Sequence, residues 1–390
     1  MAVGSIQLEQ KSGELRGLYE EAIEEGAVYE GLSEKEARYA ASQWTMIWRR
    51  FRRNRFAMIG GVVVLIYYLL ALFANFVAPY TLQTRFAKQT YLPPQPVYFF
   101  DGGTLRPYVY EVESSYDKNL RRVFTRTDKK IYLEFLAKGE PYKLMGLFKT
   151  DVHLFQAPGG VVAILGTDRQ GRDMFTRILI GGQISLTIGL IGVLLSLVLG
   201  TVLGIVSGYY GGLVDELIQR LIEVVRAFPS IPLWMALSAA VPKDWSQIQT
   251  YFAITLILSL IGWTWLARQL RGVVLSLRES DYIMAARLAG ASDARIIFKH
   301  LVPATIGQII VVATLSLPSM ILAETALSYL GLGLRPPTTS WGVLLNEVQN
   351  LQSLALYPWV FSPAFVIVIV TVAFSFLGDG LRDAADPYTV

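Results

Sequence analysis

One carboxylate stands inside a long apolar stretch: Glu324, in the run M-I-L-A-E-T-A-L-S-Y of residues 320–329, six residues after Pro318. An ionisable group in such surroundings is costly and marks an ion or substrate path by default. A lone acid makes no proton relay, so two readings stand side by side. Either Glu324 lines a translocation path, or its carboxylate is satisfied by a neighbouring helix or by interfacial water. The rest of the chain offers little to a catalyst. There is no cysteine, which removes disulfides, thiolate metal sites and cysteine nucleophiles together. The two histidines, His153 and His300, are too far apart in sequence to suggest a metal cluster or a Ser/His/Asp constellation. No G-x-x-x-x-G-K-S/T occurs to cradle phosphates, and Gly331 and Gly333 open a G-x-G that nothing completes. These residues imply no catalytic site, and no cofactor or metal held by this chain.

Two other groups of residues point to mechanics rather than reaction chemistry. Gly192, Ser196, Gly200, Gly204 and Gly208 recur every four residues and form a stripe of small side chains. Such a stripe lets another helix approach to backbone contact, within the chain or across a subunit interface. The second group lies in D-Y-I-M-A-A-R-L-A-G-A-S-D-A-R-I-I-F-K-H-L-V-P, residues 281–303. Its spacing reads as helix, break, helix: Gly290 can take the left-handed conformation after the first, and Ser292 or Asp293 can cap the second.

The elements that position these groups are membrane spans. Of 390 residues, 53% are hydrophobic and 17% charged, with mean hydropathy +0.41. A soluble globule of this length would carry nearer a quarter charged residues. The apolar content sits in six candidate spans: 56–78, 184–206, a third within 221–241, 251–267, a fifth within 304–330, and 359–377. The third is the weakest, with Glu223 and Arg226 near one end and Pro229 and Pro232 interrupting it. The formal charge of +4 does not argue for nucleic acid. Residues 1–31 form an acidic tail without the apolar core of a signal peptide. Ser33 and Glu36 have capping-box spacing, after which Trp44, Ile47, Trp48 and Phe51 share one helix face beside five arginines. That pattern predicts a helix lying in the lipid headgroup region, or else a solvated basic helix. The arginines put the N-terminus in the cytoplasm, and alternation places the basic loop 268–303 and the C-terminus there too.

This gives an all-α membrane protein divided as 1–55 (cytoplasmic tail and interfacial helix), 56–78 (first span), 79–165 (extracytoplasmic insert) and 166–390 (five further spans and the inner loop). Alternating residues near 108–112 and 131–135 predict short strands, so the insert reads as a small β-rich subdomain; an irregular draped loop is the alternative.

The 281–303 segment resembles the EAA loop of ABC importer permeases, with Met284 where the generic motif has glutamate. It is more closely similar to the dipeptide/oligopeptide branch, whose version often reads D-Y-x-x-A-A-R-x-x-G-A-S-D-x-R. Four further segments resemble that branch in order: L-G-T-D-R-Q-G-R-D at 165–173, G-Y-Y-G-G with Asp215, A-E-T-A-L-S-Y-L-G-L-G at 323–333, and L-G-D-G-L-R-D at 377–383. The resemblance implies the six-helix type I importer permease fold in a bacterial or archaeal cytoplasmic membrane. It implies a homologous permease as partner, two ATPase subunits that bind ATP and magnesium, and an extracytoplasmic solute-binding protein. It leaves di- or oligopeptides, oligosaccharides and nickel open as cargo. Within that frame Ala285, Ala286, Arg287, Gly290, Ala291, Ser292 and Asp293 are the expected contact with the ATPase. Ala285, Ala286 and Gly290 lack bulk, so a short helix can enter a groove, and Arg287 can add a charge-assisted contact at its rim. Two other classes compete: a free-standing secondary transporter, disfavoured by the lack of a detectable inverted repeat, and a membrane-anchored receptor, which leaves the basic loop without a role.

Overall fold

The structure, a computed structural model, describes residues 43–116, 118 and 122–385. The acidic tail and the capping box expected at Ser33 and Glu36 lie outside the described residues. Helix α1 (Gln43–Arg53) carries the arginines and runs into α2 (Arg55–Leu72), whose first turn is capped by the Asn54 side chain accepting from the Ala57 amide. The face expected to meet lipid is divided. Phe51 is buried against Ala57 and Ala384, whereas Trp48 is largely exposed. A break at Phe73 separates α2 from a short α3 (Ala74–Val77), so the first span is two helical pieces.

The insert folds as β-structure. Strands β1 (Tyr98–Asp101), β2 (Thr104–Tyr116) and β3 (Arg122–Tyr132) form an antiparallel sheet, β4 (Glu134–Phe135) pairs with β7 (Phe155–Gln156), and β5 (Lys138–Leu144) with β6 (Phe148–Val152). Val109, Ile131, Phe155, Ala157 and Val162 make its small core, against which Phe175 packs. It is tied to the end of the first span by the Leu154 amide donating to the Phe76 carbonyl at 2.7 Å. The His153 ring lies between the carbonyls of Ala78 and Glu140, at 2.6 and 2.9 Å.

Past the insert come α4 (Met174–Tyr210), α5 (Gly212–Ala227), α6 (Ser230–Ala239), α7 (Gln247–Leu277), α8 (Asp281–Leu288), α9 (Asp293–Ile296), a π-helical turn at Ile297–Leu301, α10 (Val302–Tyr329), α11 (Trp341–Asn346), α12 (Leu351–Leu356) and α13 (Ser362–Ala385). At 1.5 Å per residue α4 is about 55 Å long, well beyond a hydrocarbon core of about 30 Å, so it projects from the bilayer. Among the described residues, five helical segments are long and apolar enough to cross a membrane, and a sixth crossing exists only if α5 and α6 together make one. The third span expected within 221–241, interrupted by Pro229 and Pro232, corresponds to a helix pair bent by 83°. Pro229 has no N–H to continue the ladder, and the residue before a proline is driven out of the helical region, as Phe228 is at φ −90°, ψ 138°.

The most extensive helix–helix contact joins α4 to α7. A Cβ on Gly200 would lie 2.9 Å from the Trp263 carbonyl oxygen, on Gly204 2.7 Å from that of Ala267, and on Gly208 2.8 Å from that of Arg271. Ser196 donates to the Ser259 carbonyl at 3.1 Å, while Gly192 faces Met320 of α10. The small-residue stripe is spent inside this chain. Helix α13 closes the bundle against α2 and α10, around Val64, Ile321, Val370 and Phe374.

Replacing Gly204 with valine forces these backbones apart. The expected loss is about 1–3 kcal/mol, read as a lower melting temperature of the detergent-solubilised chain. Gly272→Ala, on the same helix pair but with open space around it, leaves that temperature unchanged or raises it.

Candidate coupling surface and translocation cavity

The 281–301 segment caps the end of α4 away from the insert. Its inward residues Ile283, Ile296 and Leu301 are fully buried against Ile205, Tyr209 and Val274. Helix α8 ends in a Schellman motif: the Gly290 amide donates to the Arg287 carbonyl at 2.9 Å and the Ala291 amide to that of Ala286 at 3.0 Å. Gly290 sits at φ +80°, where a side chain is strained even though nothing crowds it. Ser292 caps α9 by accepting from the Arg295 amide. Asp293 accepts from the Tyr209 hydroxyl at 2.7 Å, and the Arg287 guanidinium lies 5.2 Å from the centre of that ring. Arg287, Gly290, Ala291, Ser292 and Asp293 thus hold the turn in shape, while Ala285 is exposed and Ala286 half-buried beside it.

The outward surface is made by residues that sequence reasoning passed over. Leu288 is 90% exposed and Phe298 72%, and Tyr282 and Met284 are also exposed. The available signal was their number in a loop otherwise basic and polar, since an exposed apolar cluster on a stable turn marks a contact surface. Asp215 was noted only as part of a motif. In the structure Arg271 donates to both of its carboxylate oxygens at 2.5 Å and Ser207 to one of them, which ties α5 to α4 and α7.

Glu324 is fully buried. Its carboxylate accepts from Ser185 at 2.9 Å, Ser328 at 2.7 Å and Ser340 at 2.8 Å. Ser185 in turn accepts from the Trp341 amide, and Ser340 from that of Val343. This ring joins α4, α10 and α11, and Glu324 is not among the residues lining the large cavity beside it. That cavity, about 760 Å³, lies between α4, the α5–α6 bend, α7 and α10. Its wall mixes Trp234 and Trp265 with Arg226, Gln269, Gln308 and Ser316. Gln308 donates to Gln269 at 2.6 Å, and Arg226 lies over the Trp265 ring. Among the described residues, no carboxylate, imidazole or thiolate lines the cavity.

At the insert end a second charged cluster fastens 165–173 to 331–358. Arg177, buried in the first turn of α4, donates to Asp168 at 2.6 Å and to both oxygens of Glu347 at 2.7 and 2.9 Å. Arg172 reaches the same two carboxylates at 2.7 and 2.8 Å. Burial pushes the Glu347 carboxyl up, but donation from Arg177 and the charges of Arg177 and Arg172 outweigh it and hold the group below the usual glutamate value.

A bundle of five or six crossings, with a β-insert at one end and a rigid exposed turn at the other, defines a multi-pass membrane protein. Residues 200–389 match the family described as binding-protein-dependent transport system inner membrane component, and 42–94 match the N-terminal TM domain of oligopeptide transport permease C. The oligopeptide transport system permease protein OppC of Bacillus subtilis is 30% identical over 366 residues, 94% of this chain and 96% of that protein. The dipeptide transport system permease protein DppC of Lactococcus lactis is 33% identical over 364 residues, 91% and 93%. The glutathione transport system permease protein GsiD of Salmonella paratyphi A is 34% identical over 344 residues, 88% and 90%. The chain belongs to the ABC importer permease family of these inner membrane components.

Because the Glu347 carboxyl is held low, its contribution is present above the ordinary glutamate pKa and is lost as pH falls through the lowered value. Glu347→Gln should cost about 1–3 kcal/mol at neutral pH, Arg177 retaining Asp168 as a partner. It should also flatten the acid side of the stability profile. Thermal unfolding followed at neutral and acidic pH checks both.

Proposed function

We propose that this chain is one permease subunit of an ATP-driven importer of di- and oligopeptides, in a bacterial or archaeal cytoplasmic membrane. The N- and C-termini and the 268–303 loop face the cytoplasm, and the insert faces outward. A homologous permease completes the translocation path, two ATPase subunits bind ATP and magnesium and hydrolyse the nucleotide, and a solute-binding protein delivers cargo to the insert side. The observation that carries this reading is the exposed, Schellman-locked helix α8, with Leu288 and Phe298 presented from a base buried against α4 and α7. A chain without a phosphate-binding loop must receive ATP energy through contact with another chain. A short rigid helix with an apolar face suits insertion into a groove.

Peptide cargo is supported by what the named relatives transport and by the chemistry of the cavity. Glutamine amides donate and accept as a peptide bond does, tryptophan faces suit varied side chains, and Arg226 suits a carboxylate terminus. A free divalent cation would find no ligand set on that wall.

The test reconstitutes the complex with its binding protein and measures ATP-dependent uptake of labelled peptides against labelled oligosaccharides. Saturable peptide uptake is expected, and uptake of oligosaccharide alone would overturn the cargo assignment. Gly290→Val should assemble with a backbone penalty on the order of 1 kcal/mol or more, and should lose binding-protein-stimulated hydrolysis together with uptake. Wild-type stimulation per assembled complex would show that the turn only connects two spans.

A further inference from the structure

The insert leaves several apolar side chains uncovered, Phe99, Phe100 and Leu105 on the β1–β2 pair among them, and two further groups lie at the ends of one hairpin. At its base Phe135 is 61% and Leu136 65% exposed; at its tip Leu147 is 76%, Phe148 66% and Met145 41% exposed. The base is fixed in height relative to the first span. The Leu136 amide donates to the Leu154 carbonyl, and the Leu154 amide donates to the carbonyl of Phe76 in α3. Two such steps, each near the spacing of neighbouring strands, place Leu136 within roughly 10 Å of the span's own backbone. Helices α2 and α3 together rise about 35 Å at 1.5 Å per residue, enough to cross a hydrocarbon core of about 30 Å. Phe76 therefore lies at the membrane boundary on the insert side, and Leu136 lies beside it. The first span has an uncovered flank of its own, with Leu65, Leu69 and Leu72 all exposed.

The tip carries a second, independent mark. Lys143 and Lys149 stand directly opposite each other across the β5–β6 pair, both exposed, and among the described residues neither forms an ion pair. Like charges in that register repel. The acidic side chains of the segment, Glu134, Glu140 and Asp151, lie towards the base, and Glu140 is engaged by the hydroxyls of Thr81 and Thr84. Two unneutralised lysines that bracket Leu147 and Phe148 in sequence, on the face of the pair opposite Phe148, give the tip a positive charge that suits anionic headgroups.

We propose that the β5–β6 hairpin lies along the bilayer on the insert side as a lipid-binding foot. Phe135, Leu136, Leu147 and Phe148 enter the headgroup–acyl boundary, and Lys143 and Lys149 meet anionic lipid. The foot would hold the insert at a fixed height over the bundle, adding to its ties at Phe76, Ala78 and Phe175. Aromatic and leucine side chains flanked by lysine are the composition that partitions to this boundary.

The chain has no native cysteine, so Leu136→Cys, Leu147→Cys and, as a solvent-facing reference, Ser115→Cys each give a single labelling site. The full chain, with whatever subunits co-purify, is labelled with an environment-sensitive fluorophore. It is placed in nanodiscs of phosphatidylcholine alone or mixed with phosphatidylglycerol. The expected result is quenching of the probes at 136 and 147 by lipids carrying a nitroxide near the headgroup. Both should be several-fold less accessible to aqueous iodide than the probe at 115. Adding Lys143→Glu and Lys149→Glu together should release the probe at 147 in phosphatidylglycerol discs while 136 stays shielded and the melting temperature holds. Iodide access at either 136 or 147 equal to that at 115 would overturn the proposal. So would shielding of 147 that arises only when a purified solute-binding protein is added, which would make the tip a protein contact.

Discussion

The backbones of α4 and α7 touch along the Gly200, Gly204 and Gly208 stripe, and most of the remaining geometry depends on that approach. Helices carrying ordinary side chains sit 8–10 Å apart, and in lipid no hydrophobic driving force pulls them closer. Contact at the Trp263, Ala267 and Arg271 carbonyls gives dispersion contacts along several turns. It also fixes register, since a slip of one residue would put larger side chains against backbone. Because α4 is longer than the bilayer is thick, the same helix reaches both surfaces.

Polar nodes mark the length of α4. Arg177 meets Asp168 and Glu347 near its start, Ser185 meets Glu324 within the span, and Ser207 meets Asp215 and Arg271 near its end. Each is partnered by several groups, as a charge or carboxyl shielded from water requires. Glu324 belongs with them: three serines from α4, α10 and the turn before α11 occupy its oxygens, and the cavity takes its character from tryptophan, glutamine and Arg226 instead.

Much of this architecture is legible in the sequence because membrane physics is severe. Long apolar runs have few structural solutions, a four-residue repeat of glycine has one dominant use, and glycine followed by serine and aspartate punctuates two helices. The β-character of the insert was readable from alternation near 108–112 and 131–135, which fall in β2, β3 and β4. Other features turned on geometry that no local pattern encodes. Pro229 was visible, but the 83° angle between α5 and α6 is not encoded in the local pattern. Whether Glu324 faces a path or a ring of hydroxyls depends on Ser185 and Ser340, distant in the chain. The proposed coupling surface was picked out by its small residues, yet the exposed face of that turn is Leu288, Met284, Tyr282 and Phe298. Helical spacing alone does not say which side of a short helix its own protein buries.

The central claim is that nucleotide state enters through α8. The most direct measurement is site-specific crosslinking of the assembled transporter through a single cysteine, Leu288→Cys, at a side chain of that helix that is 90% exposed. Crosslinks to an ATPase subunit, with a yield or preferred partner site that changes between nucleotide-free and ATP-bound states, are the predicted result. An assembled, transport-active complex in which Leu288→Cys reaches no ATPase subunit in any nucleotide state would contradict the account.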